Sequence, residues 1–463
     1  MLVRFPLILL SLLLAAANLP AAETQPIFPF TVHQQTLENG LKVVVIPYDS
    51  PGTVAYFTVV RTGSREEVEP GHSGFAHFFE HMMFRGTERF STDDYNDVLK
   101  RMGADSNAFT TDDYTNYYII GPAAELETMI DIESDRFRNL EYSEQDFRRE
   151  ALAVLGEYNK NASSPFLPMW EKLRDLSFQK HTYKHTTLGF LADIKAMPDY
   201  YDYSLSFFDR FYRPENCIVL VVGDADPTTV FDLAKRYYGP WEKGYQAPQI
   251  EVEPPQTEGY DGTIDWPSEI RPHLMMGYRA PAFSAKTVDT AALDLISQLL
   301  FSESAPLYQK LVVEEQWVDF ISGSYSDHKD PFLFLIFSRV KSEELGPKVE
   351  RALAEAFAGL REELVDSERL DRIKEHLRYG FALGLDSPGS VGFTIAGYLN
   401  LTGDPATVND VYDQYQRVTP EDIRRVAREV FSAERLTTVR LAHRAAQDDQ
   451  PATGAASAEG GVR

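Results

Sequence analysis

His77 and His81 stand four residues apart with Glu80 between them, in the stretch GFAHFFEHMMFRGT. On a helix, positions i and i+4 share a face, so the two imidazoles can converge on one metal ion. Glu80 comes three residues after His77 and one before His81, which projects its carboxylate beside that face rather than on it. There it can reach a water molecule that the metal activates and take its proton as the water attacks a carbonyl. The bland alternative is a pair of histidines on a buried helix. A catalytic zinc takes three protein ligands and keeps one position open. The stretch FRREALAVLGEYNK offers Glu150 and Glu157, seven residues apart and so on one helical face two turns apart. One can ligate while the other holds a ligand histidine or the helix in place; the alternative for such a pair is a solvated helix face. The order H-x-x-E-H inverts H-E-x-x-H and is itself a zinc-site signature. Cobalt or manganese would accept the same ligands.

Alternating segments on either side supply the frame. LKVVVIPYD and VAYFTVVRTGS read as paired strands, followed by the helix carrying the histidines and by a second helix, TDDYNDVLKRMG. Strands ADSNAFTTDDYTNYYIIG and a helix AELETMIDIESDRF come next. A similar order recurs later: strand PHLMMGYRAP, helix TVDTAALDLISQLLF, helix APLYQKLVVEE, strands DFISGSYSD and FLFLIFSRV, then a long helix LGPKVERALAEAFAGLREEL. This predicts an α+β duplication of two homologous α/β-sandwich halves, each a sheet packed by helices. Where the first half has His77 and His81, the second has only Ala291 to Ile296.

Five segments are expected: an export signal over residues 1–22, a zinc-bearing half over 23–244, a linker over 245–270, a homologous half without zinc over 271–444, and a disordered tail over 445–463. The first carries one positive charge, Arg4, and an apolar run too short to span a bilayer, then small residues that fit cleavage between Ala17 and Ala22. The linker is rich in Pro and acidic residues, and the tail is poor in apolar ones. The single cysteine, Cys217, falls in a segment that reads as a buried strand, and an exported chain with no disulfide pair fits the periplasm of a Gram-negative bacterium. A net charge of −25 argues against nucleic acid as a partner, and no stable membrane insertion is expected. His181 and His185 are also four apart, but HTYKHTTLG has no acidic residue and reads as a loop; His72 suits a turn. His273, His328, His376 and His443 carry no signal.

The chain resembles the pitrilysin/insulinase (inverzincin) family of zinc peptidases, and within it the bacterial branch similar to the mitochondrial processing peptidase. GFAHFFEHMMFRGT, GADSNAFTTDDYTNYY, the glutamate pair, HTYKHTTLGFLADIKAM, FYRPENCIVLVVGD and the EPPQ linker carry the likeness across nearly the whole chain. It implies one zinc ion per chain held by His77, His81 and Glu157, with Glu80 as the base and Glu150 supporting the site. It also implies that Asn107 and Ala108 lie on an edge strand to which a peptide substrate adds as an extra strand. Phe109 and Thr110 read as ordinary sheet.

The likeness breaks in one place. Family members that work alone or as identical pairs carry an Arg and a Tyr in the second half, where this chain has Val312 and Asp319. Neither offers the cation or phenol that would polarise a scissile carbonyl. The resemblance therefore implies the zinc-bearing member of a heterodimer, forming half of a clam-shell chamber closed by a homologous subunit that lacks the zinc motif and supplies the Arg/Tyr pair. A homodimer in which Tyr308 or Tyr325 substitutes is the alternative. The expected activity is metalloendopeptidase cleavage of peptides and unstructured segments. A non-catalytic assembly subunit and a structural zinc protein are the competing functions.

Overall fold

The computed structural model describes residues 26–443; the expected export signal and tail lie outside the described residues. In chain order the elements are β1 (His33–Thr36), β2 (Lys42–Pro47), β3 (Thr53–Val60), α1 (Phe75–Met82), α2 (Thr92–Met102), β4 (Asp105–Thr110), β5 (Thr115–Pro122), α3 (Leu126–Asn139), α4 (Glu144–Ala162), α5 (Phe166–Ser177), α6 (Leu191–Ala196), α7 (Tyr201–Phe211), β6 (Cys217–Gly223) and α8 (Pro227–Tyr238). There follow β7 (Tyr260–Trp266), β8 (His273–Arg279), α9 (Asp289–Phe301), α10 (Pro306–Tyr308), β9 (Val318–Tyr325), β10 (Leu333–Val340), α11 (Gly346–Glu362), α12 (Ser367–Gly384), α13 (Pro388–Thr402), α14 (Thr407–Arg417), α15 (Pro420–Val430) and β11 (Leu436–His443).

The first sheet has the order β1-β2-β6-β3-β5-β4, and the second β7-β11-β8-β10-β9. The last five strands of the first correspond one to one with the five of the second, down to the parallel pairs β2–β6 and β7–β11. This is the duplication that the element order predicts. It also corrects the expected linker: β7 lies inside residues 245–270 and begins the second unit. Its sequence YDGTIDW hides the strand because β7 is an edge strand, with only Gly262 buried, whereas its counterpart β2 is covered by β1 and reads as an apolar run.

Strands β2, β3 and β6 are apolar on both faces because both faces are covered. Val43 and Val45 pack with α1, α3, α7 and α8, while Val44 and Ile46 pack beneath α13. The second sheet is likewise sandwiched, with α9, α11 and α15 on one face and α5 on the other. The two halves thus exchange helices: α5 from the first half covers the second sheet, and α13 from the second covers the first. At Gly392 the backbone of α13 approaches Phe57 so closely that a Cβ there would overlap the ring. A further departure lies at 306–314, expected as one helix: α10 is three residues long and runs into a π-helical turn, Gln309–Glu314.

Candidate metal centre

Helix α1 starts at Gly74, whose φ of +93° places it in the left-handed region that glycine tolerates. No side chain of Gly74 can cap the helix, and the buried carboxylate of Glu67 does so instead: the amides of Gly74 and Ala76 donate to its two oxygens at 2.7 and 2.6 Å. Burial pushes Glu67 well above the usual carboxylate range, against these two amide bonds. Phe75, Phe78, Phe79 and Met82 anchor the helix, with Phe79 stacked on Phe207 at 5.1 Å. With the helix so fixed, His77 and His81 project side by side, ring centroids 4.8 Å apart.

Helix α4 crosses this face. It starts at Ser143, which accepts a bond from the Asp146 amide, and its length carries Glu150 and Glu157 past the two histidines. Glu157 Oε2 lies 3.6 Å from His77 Nε2 and 3.5 Å from His81 Nε2. Those spacings are too long for hydrogen bonds. They match ligand atoms each about 2.1 Å from a shared tetrahedral ion. Ligand atoms of His77, His81 and Glu157 all lie within 4.8 Å of one another. Among the described residues this is the one group of three or more His, Cys, Asp or Glu side chains so arranged.

The electrostatics suit a cation. Burial, with His81 beside it, pushes His77 down to about 4, so its ring is neutral near pH 7 and keeps a lone pair. His77 Nδ1 is buried with no hydrogen-bond partner, which leaves Nε2 as the ring's contact with the cluster. His81 Nδ1 donates to Glu150 Oε1 at 2.8 Å, a tautomer that turns the Nε2 lone pair toward Glu157. Glu150 is 4% exposed, and its other oxygen forms an ion pair with Arg85. The neighbouring His81 imidazole, ahead of burial, holds Glu157 below the usual carboxylate range.

Glu80 borders the three without joining them and reaches β4. Its Oε2 accepts from the Thr110 hydroxyl at 2.7 Å, and burial raises its pKa against that bond. Asn107 and Ala108 lie on β4, the edge of the first sheet, paired to β5 alone. A cavity of about 350 Å³ at this edge is lined by Glu80, His81, Phe84, Arg85, Thr92, Asn107 and Glu150. The sequence-predicted residues are therefore brought together. Arg85 and Glu67 were not singled out by sequence, and Thr110, which reads there as ordinary sheet, instead binds Glu80; its one signal is its place two residues past Ala108 on the same strand face.

The remaining histidines stand apart from this group. His181 accepts from the Tyr183 amide and contacts Asp330 at 3.0 Å, His185 contacts the Thr186 carbonyl, and His72 the Pro70 carbonyl. In the second half, Asp319 is paired with Arg271 and Arg339 at 2.6 and 2.7 Å, and Val312 packs against the second core. Tyr325 is buried with its hydroxyl on the Pro281 carbonyl, and Tyr308 packs against the same core.

Comparison with known proteins matches residues 43–190 to the model of the insulinase family, peptidase family M16, and residues 201–377 to the M16 inactive domain. Zinc protease PqqE of Helicobacter pylori is 29% identical over 419 residues, 88% of this chain and 91% of that one. An uncharacterized zinc protease of Bacillus subtilis, YmxG, is 24% identical over 87% of this chain and 96% of its own. Core protein I of the Euglena gracilis ubiquinol-cytochrome-c reductase complex is 26% identical over 61% of this chain and 56% of its own. Among solved structures, a protease from Helicobacter pylori matches with a TM-score of 0.83 at 28% identity, covering 89% of this chain and 99% of that one. The first half of the periplasmic protease PqqL from Escherichia coli matches with a TM-score of 0.70 at 18% identity, covering 89% and 92%.

Proposed function

The chain belongs to the insulinase family, peptidase family M16, and from that premise we propose that it is a zinc-dependent endopeptidase acting on peptides and unstructured segments. The observation that carries the reading is the division of labour among four side chains. Nε2 of His77, Nε2 of His81 and Oε2 of Glu157 converge, while Glu80, one residue from His81, is held out of that cluster by Thr110. A structural site is closed and has no use for a base beside it. Zinc, held by His77, His81 and Glu157, would supply Lewis acidity and lower the pKa of water. Glu80 accepts the proton of the attacking water and passes it to the departing amine. Glu150, bridging Arg85 and His81, keeps His81 in the tautomer that leaves Nε2 free. The open edge of β4 at Asn107 and Ala108 receives the peptide as an added strand, so main-chain bonds give affinity with little sequence preference.

The same reading makes this chain the zinc-bearing member of a heterodimer. Val312 is packed against a core and Asp319 is neutralised by two arginines, so neither supplies a group to a scissile carbonyl; a homologous subunit bearing an Arg/Tyr pair would. Export to a periplasm is part of the proposal, on the character of residues 1–22 and the named location of the PqqL relative. Among the described residues no helix is long and apolar enough to cross a membrane. The likeness to core protein I favours a second reading, an assembly subunit that keeps the fold, and the intact set of His77, Glu80, His81 and Glu157 weighs against it.

The deciding experiment is hydrolysis of a quenched, unstructured peptide by the purified chain, alone and mixed with a homologous subunit. Activity only on mixing, lost by about 10²-fold or more in Glu80→Gln with zinc content unchanged, is the expected result. Full activity of the chain alone would overturn the heterodimer. Silence in both arms with zinc bound would favour the assembly subunit.

A further inference from the structure

The edge strand beside the metal cluster bears one contact that the ligand set leaves unexplained. The Thr111 amide donates to the Tyr114 carbonyl at 2.8 Å, which makes that pair a hydrogen-bonded one at the β4–β5 turn. Antiparallel pairs alternate, so Phe109 and Asn107 spend their backbone groups on Asn116 and Tyr118, while Thr110 and Ala108 turn theirs to the open edge. The Ala108 amide fits that count: at the edge it meets the carboxamide oxygen of Asn107 at 2.8 Å, not a strand. Successive side chains of a strand point to opposite faces, so Thr110 and Ala108 share one. It is the face toward α1, where Ala108 joins the core and the Thr110 hydroxyl reaches Glu80. The neighbouring Thr115 hydroxyl, 3.4 Å away, donates to the Thr62 carbonyl at 3.0 Å, so it does not compete for Glu80.

We propose that Thr110 is a positioning residue that couples peptide docking to the base. The backbone of Ala108 faces the edge where a peptide strand would pair, and Thr110, two residues along the same strand, grips Oε2 of Glu80 with its hydroxyl while its backbone borders the same carboxylate. Gripping one oxygen fixes the carboxylate plane and leaves Oε1 to take a proton. A peptide that seats on the edge thereby sets the strand that sets the base. The proposal rests on the peptidase reading and deepens it at the same site.

Thr110→Val keeps the β-branched shape that a strand accepts and removes the hydroxyl alone; Thr110→Ser keeps the hydroxyl. The expected result, under the conditions in which the wild type cleaves, is a kcat about 10- to 100-fold lower for Thr110→Val with KM within about 2-fold, and recovery to within about 3-fold in Thr110→Ser. Zinc content should stay at wild-type level. Affinity for the uncleaved peptide, measured by fluorescence anisotropy, should be equal in Glu80→Gln and in Glu80→Gln combined with Thr110→Val. A wild-type kcat in Thr110→Val, no recovery in Thr110→Ser, or a loss of peptide affinity as large as the loss of rate would each overturn the coupling. A wild type inert toward peptide in every arm would overturn the peptidase reading and this proposal with it, whereas an active wild type with an equally active Thr110→Val overturns this proposal alone.

Discussion

Glu150 uses its two oxygens differently, and the difference defines its part in the site. One accepts from His81 Nδ1, the other faces the guanidinium of Arg85. Groups in this position typically change metal affinity by about 10- to 100-fold when altered, because they fix the ligand ring and raise its basicity. Glu150→Gln keeps the shape, removes the charge that Arg85 balances, and should weaken zinc binding by about that factor in competition with a chelator. Wild-type affinity in that variant would mean that the helix packing alone orients His81. At this scale the sequence was most informative: the spacing of His77, Glu80 and His81 forces their geometry once a helix forms. It left open which of Glu150 and Glu157 ligates, since seven residues apart both lie on one face. What separates them is where α4 crosses α1, a tertiary fact. Thr110 and Arg85 stayed hidden for the same reason, since neither residue type advertises a partner 30 or 65 positions away.

Among elements, the exchange of α5 and α13 is what the chain order conceals. Nothing in either segment marks which sheet it will cover, and only the finished sandwich reveals that each covers the other sheet. Gly392 is the point where this exchange is tightest. A side chain there must displace Phe57, which is fully buried in the first sheet. Overpacking of this kind costs about 1–3 kcal/mol, so Gly392→Val should lower the melting temperature of the whole chain, read by calorimetry, while leaving exposed α14 positions such as Asp413 neutral when changed to Asn. An unchanged melting temperature in Gly392→Val would mean that α13 docks loosely. The strand hidden in the expected linker teaches a related lesson. A strand with one neighbour and a wet face gives no apolar run to read, and β7 becomes visible only through its parallel register with β11.

For the whole molecule, the junction of the halves is held by a buried charged cluster next to the β4–β5 turn, and its response to pH can be worked out in sign. His328, from the second half, contacts Asp112 of the turn through Nε2 at 3.2 Å and the Ser326 carbonyl through Nδ1 at 2.8 Å, stacked on Phe332. Arg174 holds the other side of Asp112 at 2.7 Å, and Asp113 accepts from the Lys329 amide and the Tyr183 hydroxyl. Burial pulls the His328 pKa down, but the bond to Asp112 and the charges of Asp112 and Asp113 outweigh it and leave it raised. For Asp112 burial pushes up, and Arg174 and His328 outweigh it and hold it far below the usual range. A raised histidine binds more protons folded than unfolded, so its contribution is complete below its unfolded value of about 6.5 and fades as pH rises through the folded value. A depressed aspartate contributes fully above about 3.9 and loses that as pH falls. The two windows overlap between about pH 4 and 6.5, where the clamp is strongest. His328→Gln removes the titrating member, so the stability gap between wild type and variant, from denaturant unfolding, should be about 1.5–3 kcal/mol near pH 5.5 and should shrink steadily toward pH 9. A gap that stays constant across that range would mean that His328 acts through its stacking on Phe332 and not through its charge.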